Sequence, residues 1–233
     1  AIAMDKIATK RVLRGTKICI PGDSVWNRGE SAPTEITFPV VAKTPNGGST
    51  IGIHMCDDAE QLTKALKDCG RFEPTVLIEQ FIAGREITVA LLEGRALPVV
   101  EIRPVEGFFD FKAKYTKGQT EYLVPAPIDP VIAATAQEHA EIAFRTVGLS
   151  GVARADFIVD DHGTPWFLEI NTLPGMTATS LTPMAAGATG ISFEELVEVT
   201  LKAAQLHISR GDNELSPPNT NSPENTPLAS NGH

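Results

Sequence analysis

The sequence is short of cysteine and of positive charge, and it holds no long apolar run. Its three cysteines, Cys19, Cys56 and Cys69, are odd in number and match no zinc or redox spacing. They read as ordinary reduced thiols, which argues against a disulfide-stapled scaffold and fits a cytoplasmic protein. No stretch of about 18 apolar residues occurs, so no membrane-spanning helix and no membrane partner are expected. Lys and Arg number 20 against 29 Asp and Glu, a formal net charge of -9. That balance argues against a nucleic-acid surface, which needs clustered cations. It leaves room for a nucleotide, because a few placed lysines and a metal offset a short phosphate chain. The first residues, Ala-Ile-Ala-Met-Asp-Lys, contain no apolar signal core and no initiator Met, so the chain reads as beginning inside a processed or cut protein.

What is present is ordinary for a globular protein. The 233 residues are 42% hydrophobic and 21% charged, enough for one large domain or two small lobes. Met4, Ile7, Ala8, Val12 and Leu13 recur at helical spacing, with Gly15 as a stop. Residues 16–35 read as loop with one short strand. Phe38–Lys43 is a strand that ends on a lysine, followed by the small-residue loop 44–50. A short strand over 51–55 and a helix over 57–69, capped by Asp57 or Asp58, come next. Strands are predicted at 76–81, 86–92 and 96–101, and residues 103–127 read as one long functional loop. A helix over 130–147 precedes two strands, 152–159 and 164–170, joined by the turn Asp160-Asp161-His162-Gly163. An amphipathic helix spans 192–206 with Phe193, Leu196, Val197, Thr200 and Leu201 on its face. Residues 209–233 are almost devoid of apolar side chains and should be disordered. The mixed order of strands, hairpins and helices predicts an α+β fold.

Four segments carry candidate chemistry. Asp156 on one strand and Glu169 and Asn171 on the next are hard oxygen donors; residues two apart on a strand share a face, and a hairpin would bring Asp156 beside them. Such a set suits magnesium, which completes its shell with phosphates and water. A hairpin edge with polar residues facing water is the plainer reading, and the residues alone leave both open. Lys43 followed by Gly47-Gly48-Ser49-Thr50 offers a cation, close backbone approach and hydroxyl donors to phosphate, without the order of a Walker motif; taken alone the pattern is weak, and a plain turn is the safer reading. Glu79-Gln80-Phe81-Ile82 and then Glu86 could present backbone groups to a base and a carboxylate to a ribose, or be an edge strand with surface acids. The aromatic run Phe108-Phe109-Asp110-Phe111-Lys112-Ala113-Lys114-Tyr115 fits a lid that excludes water, or a satellite apolar cluster.

These segments occur in the order and with the wording of the ATP-grasp superfamily, and they most specifically resemble its D-alanine–D-alanine ligase family. Met4-Asp5-Lys6 resembles the first ATP-site lysine segment, and Val41-Ala42-Lys43 with Gly48-Ser49-Thr50-Ile51-Gly52 the second lysine and phosphate loop. Residues 79–86 resemble the adenine and ribose segment, and residues 109–115 the omega loop. Gly151–Asp156 and Leu168–Thr177 resemble the metal and substrate segments, and Ser180-Leu181-Thr182-Pro183-Met184-Ala185 continues the match, which covers about residues 1–206.

The resemblance implies two α+β lobes with ATP between them, a small lobe of about residues 10–80 and a large one of about 81–208, with the family's N-terminal domain absent. It implies ATP as co-substrate, two magnesium ions (manganese as an alternative) on Asp156, Glu169 and Asn171, and D-alanine as substrate. Lys6, Lys43 and Lys114 would meet phosphates; Glu79, Gln80, Ile82 and Leu168 would surround adenine, and Glu86 the ribose. Arg154 and the Gly175 N–H would stabilise the oxyanion, Ser49 and Tyr115 would orient substrates, and Ser180 and Leu181 would hold the second D-alanine's carboxylate. The family further implies cytoplasmic peptidoglycan-precursor synthesis and a homodimer. An ATP-binding module without turnover, and a ligase for another amino or hydroxy acid, are the alternatives.

Overall fold

The computed structural model describes residues 1–47, 52–104 and 120–204. Ser49, Lys114, Tyr115 and the segment 209–233 lie outside the described residues.

Two antiparallel sheets organise the chain. The first has the order β1-β4-β2-β3, formed by β1 (Asp23–Asn27), β2 (Val40–Lys43), β3 (Ile53–Cys56) and β4 (Thr75–Gln80). One of its faces is covered by α2 (Ala59–Cys69). Asp58 caps that helix by accepting from the Gln61 N–H, and Leu62, Ala65, Leu66 and Cys69 form its buried stripe at helical spacing. They pack on Val40, Ala42, Cys56, Val76 and Ile78. Because side chains alternate along a strand, the intervening Val41, Lys43 and Glu79 are turned to the other face.

The second sheet runs β10-β9-β5-β7-β8, from β5 (Arg85–Leu92), β7 (Val100–Pro104), β8 (Thr120–Leu123), β9 (Val152–Val159) and β10 (Pro165–Asn171), with β6 (Arg95–Ala96) paired to β5. Helix α3 (Pro130–Val147) lies on one face. Its small Ala136, Ala140 and Ala143 bring it close to Ile87, Val89, Leu91, Ala155 and Phe157. Asp129 caps its start, proline stands in its first turn, and Gly148 at φ 71° ends it in the left-handed region where glycine is favoured. The opposite face carries Glu86, Thr88, Arg154, Asp156 and Ile158. Two further helices, α4 (Leu181–Gly187) and α5 (Phe193–Ala203), pack together, and α4 rests on β5.

The α+β class is borne out, and several expectations are corrected. Part of the long loop at 103–127 is strand: β7 runs to Pro104, and Thr120–Leu123 pairs with it as β8. Thr-Glu-Tyr-Leu shows no apolar alternation because an edge strand is exposed. The last helix ends at Ala203, and Phe193 and Leu201 are exposed, leaving Leu196 as its buried anchor. The first helix, α1, is Lys6–Leu13, capped by Asp5, whose carboxylate accepts from the N–H groups of Ile7 and Ala8. Its expected apolar face is incomplete: Met4 and Val12 are exposed, whereas Lys6 and Lys10 are buried against carboxylates of the two sheets.

Candidate active site

The uncovered faces of the two sheets enclose a cleft. Strand alternation sends Val41, Lys43, Ile53, Met55 and Glu79 into it from the first sheet. Glu86, Ile102, Asp156, Ile158, Leu168 and Glu169 enter from the second, and Lys6 from α1. The linker Gln80-Phe81-Ile82 closes one end. That linker turns into β5 through Gly84, where a Cβ would stand 2.1 Å from the Val159 carbonyl oxygen, so only glycine permits the close approach.

The acidic wall depends on a bulge. Phe167 pairs with Phe157, yet Glu169 pairs with Asp156, so Leu168 is an extra residue in β10. In a regular strand with no bulge, Glu169, two residues after Phe167, would share the face of Phe167, which is fully buried in the core. With it, the consecutive residues Leu168 and Glu169 both line the cleft, and Ile170 returns to the core. Asp156 and Glu169 thus face the cleft as direct cross-strand partners, as the hairpin expectation required.

Each carboxylate is met by a cation of the chain. Arg154 donates to both oxygens of Asp156, Nε to Oδ1 at 2.8 Å and a terminal nitrogen to Oδ2 at 2.7 Å, while Thr88 Oγ1 lies 2.6 Å from Oδ1. The Asp156 carboxylate holds the Arg154 guanidinium even more firmly protonated than usual. Lys6 Nζ sits 3.1 Å from Glu169 Oε2 and donates to the Gly47 carbonyl at 2.6 Å, linking β10 to the segment that follows β2. Glu79 is buried and pairs with both Lys43 and Lys10. Burial pushes its carboxyl up, but the two ammonium groups outweigh burial and hold it below the usual carboxylate range.

Asn171 pairs in register with Arg154, and its Oδ1 accepts from the Leu173 N–H at 2.8 Å. Beyond it the chain reaches Gly175, where a Cβ would stand 2.8 Å from Ser180 Oγ, so glycine brings these two residues together. Ser180 Oγ accepts from the Thr177 N–H at 3.1 Å and lies 2.8 Å from Thr177 Oγ1, and Leu181 opens α4. The structure therefore gathers Lys6, Lys43, Glu79, Gln80, Ile82, Glu86, Asp156, Leu168 and Glu169 in one cleft. Arg154, Asn171, Gly175, Ser180 and Leu181 continue from its acidic wall.

Among the described residues, no three His, Cys, Asp or Glu side chains gather as a metal cage. The donor chemistry nonetheless fits a cation that takes most of its shell from phosphates: Glu169 Oε1 and Asp156 Oδ2 retain acceptor capacity, and the local lysines suit the anion that would accompany it. Sequence reasoning missed the apolar lining, Ile53, Met55, Ile102 and Ile158, which suits a flat base, and it missed Thr88 and Lys10. A lysine in a basic helix reads as solvated; its position four residues after Lys6, on the same helix face, was the available signal.

Known proteins share this architecture. A family model described as the D-ala D-ala ligase C-terminus matches residues 23–202. The D-alanine–D-alanine ligase of Syntrophotalea carbinolica is 46% identical over 207 residues, covering 88% of this chain and 68% of that protein. The D-alanine–D-alanine ligase of Gloeobacter violaceus is 43% identical over 208 residues, covering 85% and 68%. Among solved structures, the Bacillus anthracis D-alanine–D-alanine ligase complexed with ATP superposes with a TM-score of 0.76 at 29% identity, over 87% of this chain and 66% of that one. VanG, a D-Ala:D-Ser ligase from Enterococcus faecalis, gives 0.77 at 27% identity over 87% and 62%. With the family model spanning most of its length and a relative 46% identical over 68% of that protein, the chain belongs to the D-alanine–D-alanine ligase family, in its C-terminal part.

Proposed function

We propose that this chain carries the ATP and D-alanine sites of a ligase that forms D-alanyl-D-alanine. The observation that carries the reading is the convergence, in one cleft, of two lysines from separate elements with two carboxylates paired across β9 and β10. Phosphate-transfer chemistry asks for that combination: cations for the phosphates and hard oxygens for their metal. The small lobe (about 10–80) and large lobe (about 81–208) are taken as the units that hold the nucleotide between them.

Adenine lies between apolar side chains of the two sheets, with the Gln80–Ile82 backbone and Glu79 at its edge, Leu168 beneath it and Glu86 at the ribose. Lys6 and Lys43 take the phosphates, joined by Lys114 and the Ser49 loop. The γ-phosphoryl group passes to the carboxylate of the first D-alanine, and ADP leaves. The amine of the second D-alanine then attacks the acyl carbon, loses a proton, and inorganic phosphate departs. Arg154, held by Asp156, and the Gly175 N–H stabilise the tetrahedral oxyanion. Ser180 and Leu181 hold the second substrate's carboxylate, and Ser49 and Tyr115 orient the reactants. Bound magnesium, or manganese, on Asp156, Glu169 and Asn171 would supply charge neutralisation of the phosphates. The product serves peptidoglycan-precursor synthesis in the cytoplasm, and the working form is a homodimer. Among the described residues no helix is long and apolar enough to cross a membrane.

The test is phosphate release from ATP with magnesium, with and without D-alanine, on the chain and on Glu169→Gln. The expected result is D-alanine-dependent release that falls about a hundredfold or more in the variant. ATP binding without such release would instead favour a nucleotide-binding module without turnover, and release driven by another amino or hydroxy acid would reassign the substrate.

A further inference from the structure

Helix α1 carries three cations at successive turns, and each meets a carboxylate on a sheet: Lys6 with Glu169, Lys10 with Glu79, Arg14 with Asp23. The three differ in burial. The Lys10 side chain is 1% exposed, against 9% for Lys6 and 53% for Arg14. Lys6 lines the cleft, whereas Lys10 is buried and is not among the lining residues. The partner of Lys10 does line the cleft, and Lys43 grips that same carboxylate from the cleft side. Glu79 therefore has one ammonium partner that lines the cleft and one that does not.

A buried carboxylate left without a cation is costly. With Lys43 as its sole partner, Glu79 would be stranded whenever Lys43 turned toward an anion in the cleft, and it would hold Lys43 back. Lys10 removes that conflict. It also leaves two positive charges on one negative, an excess that faces the cleft and suits a phosphate chain. We propose that Lys10 is a positioning residue, the standing counter-ion of Glu79 that frees Lys43 to bind the nucleotide's phosphates. The inference rests on the nucleotide reading of the cleft. It concerns a residue that does not touch the nucleotide and acts only through Glu79.

The experiment measures binding of magnesium-ATP and of adenosine to the 233-residue chain by calorimetry. The proteins are the unaltered chain, Lys10→Met, Glu79→Gln and the double variant. In Lys10→Met, affinity for ATP is expected to fall about tenfold or more, the scale of one charge-assisted contact. Affinity for adenosine, which has no phosphate, should change by less than about threefold, so the preference for ATP collapses. A merely structural role for Lys10 would weaken both ligands alike, and that result overturns the proposal. In the Glu79→Gln background there is no carboxylate to restrain Lys43. There Lys10→Met is expected to alter the ATP-over-adenosine ratio by less than about twofold, and a larger change overturns it. This second comparison can overturn the proposal even if Lys10→Met alone does not fold. An unaltered chain that binds neither ligand would defeat the nucleotide reading itself, and this inference with it. An unaltered chain that binds both while Lys10→Met keeps the ratio defeats the inference alone.

Discussion

Glu79 and Glu169 line the same cleft from different sheets, and each takes a lysine from the same helix, yet their surroundings differ. Glu79 is 4% exposed at its side chain and is held by Lys10, at 1%, and Lys43, at 8%. Glu169 is 35% exposed and meets Lys6 alone among the described residues. Coulomb attraction is weakly screened at the first site and strongly screened at the second. The buried Lys10–Glu79 pair is therefore part of the frame, and the half-exposed pair is available for exchange when another cation or an anion enters. A site that must bind charged ligands and still fold needs both kinds.

The comparison can be broken most directly by deleting each carboxylate. Glu79→Ala leaves two buried ammonium groups without a counter-ion and is expected to cost about 3–5 kcal/mol in urea unfolding. The matched Glu169→Ala should change stability by no more than about 1 kcal/mol, because water replaces the lost partner. Equal losses would erase the distinction between frame and exchange site.

Glu101 sharpens it with an intermediate case. It is buried on β7, accepts from Arg85 Nε at 2.8 Å and a terminal nitrogen at 2.7 Å, and accepts from Arg103 at 3.0 Å. The hydrogen bonds from Arg85, aided by the nearby guanidinium charges, hold its carboxyl below the usual range against the opposing effect of burial. A carboxyl lowered on folding adds stability that is fully present above its unfolded value of about 4.3 and is lost as pH falls through the folded value. Melting temperature followed from neutral pH to below that range should drop, and Arg85→Met, lowering stability at neutral pH, should flatten the acid side of the curve. An unchanged slope would mean that Glu79 and other carboxylates carry the acid sensitivity.

Legibility followed the same division between local and long-range causes. The turn Asp160-Asp161-His162-Gly163 announced the β9–β10 hairpin: Asp160 accepts from the His162 and Thr164 N–H groups and from Trp166 Nε1. Asp58, Asp129 and Ser192 mark helix starts by capping, a local act. The bulge at Leu168 left no such mark, since Trp166-Phe167-Leu168 is apolar throughout and shows no preferred face. Lys10 looked like one more surface cation because its partner lies 69 positions away, at Glu79. Likewise β8 was hidden within a loop because its edge position demands no apolar pattern.

The sequence by itself determined the α+β class, most of the order of its strands and helices, and most of the candidate polar groups of the cleft. Capping, turn chemistry and apolar spacing act within a few residues, and the collinear motifs are read directly from the chain. The tertiary structure decided which of those groups meet. It turned Glu169 toward Asp156 through one extra residue, buried Lys10 against Glu79, and set two sheets face to face around a cleft. Those outcomes depend on sheet register and on the cost of burying charge, which are settled only when distant segments pack.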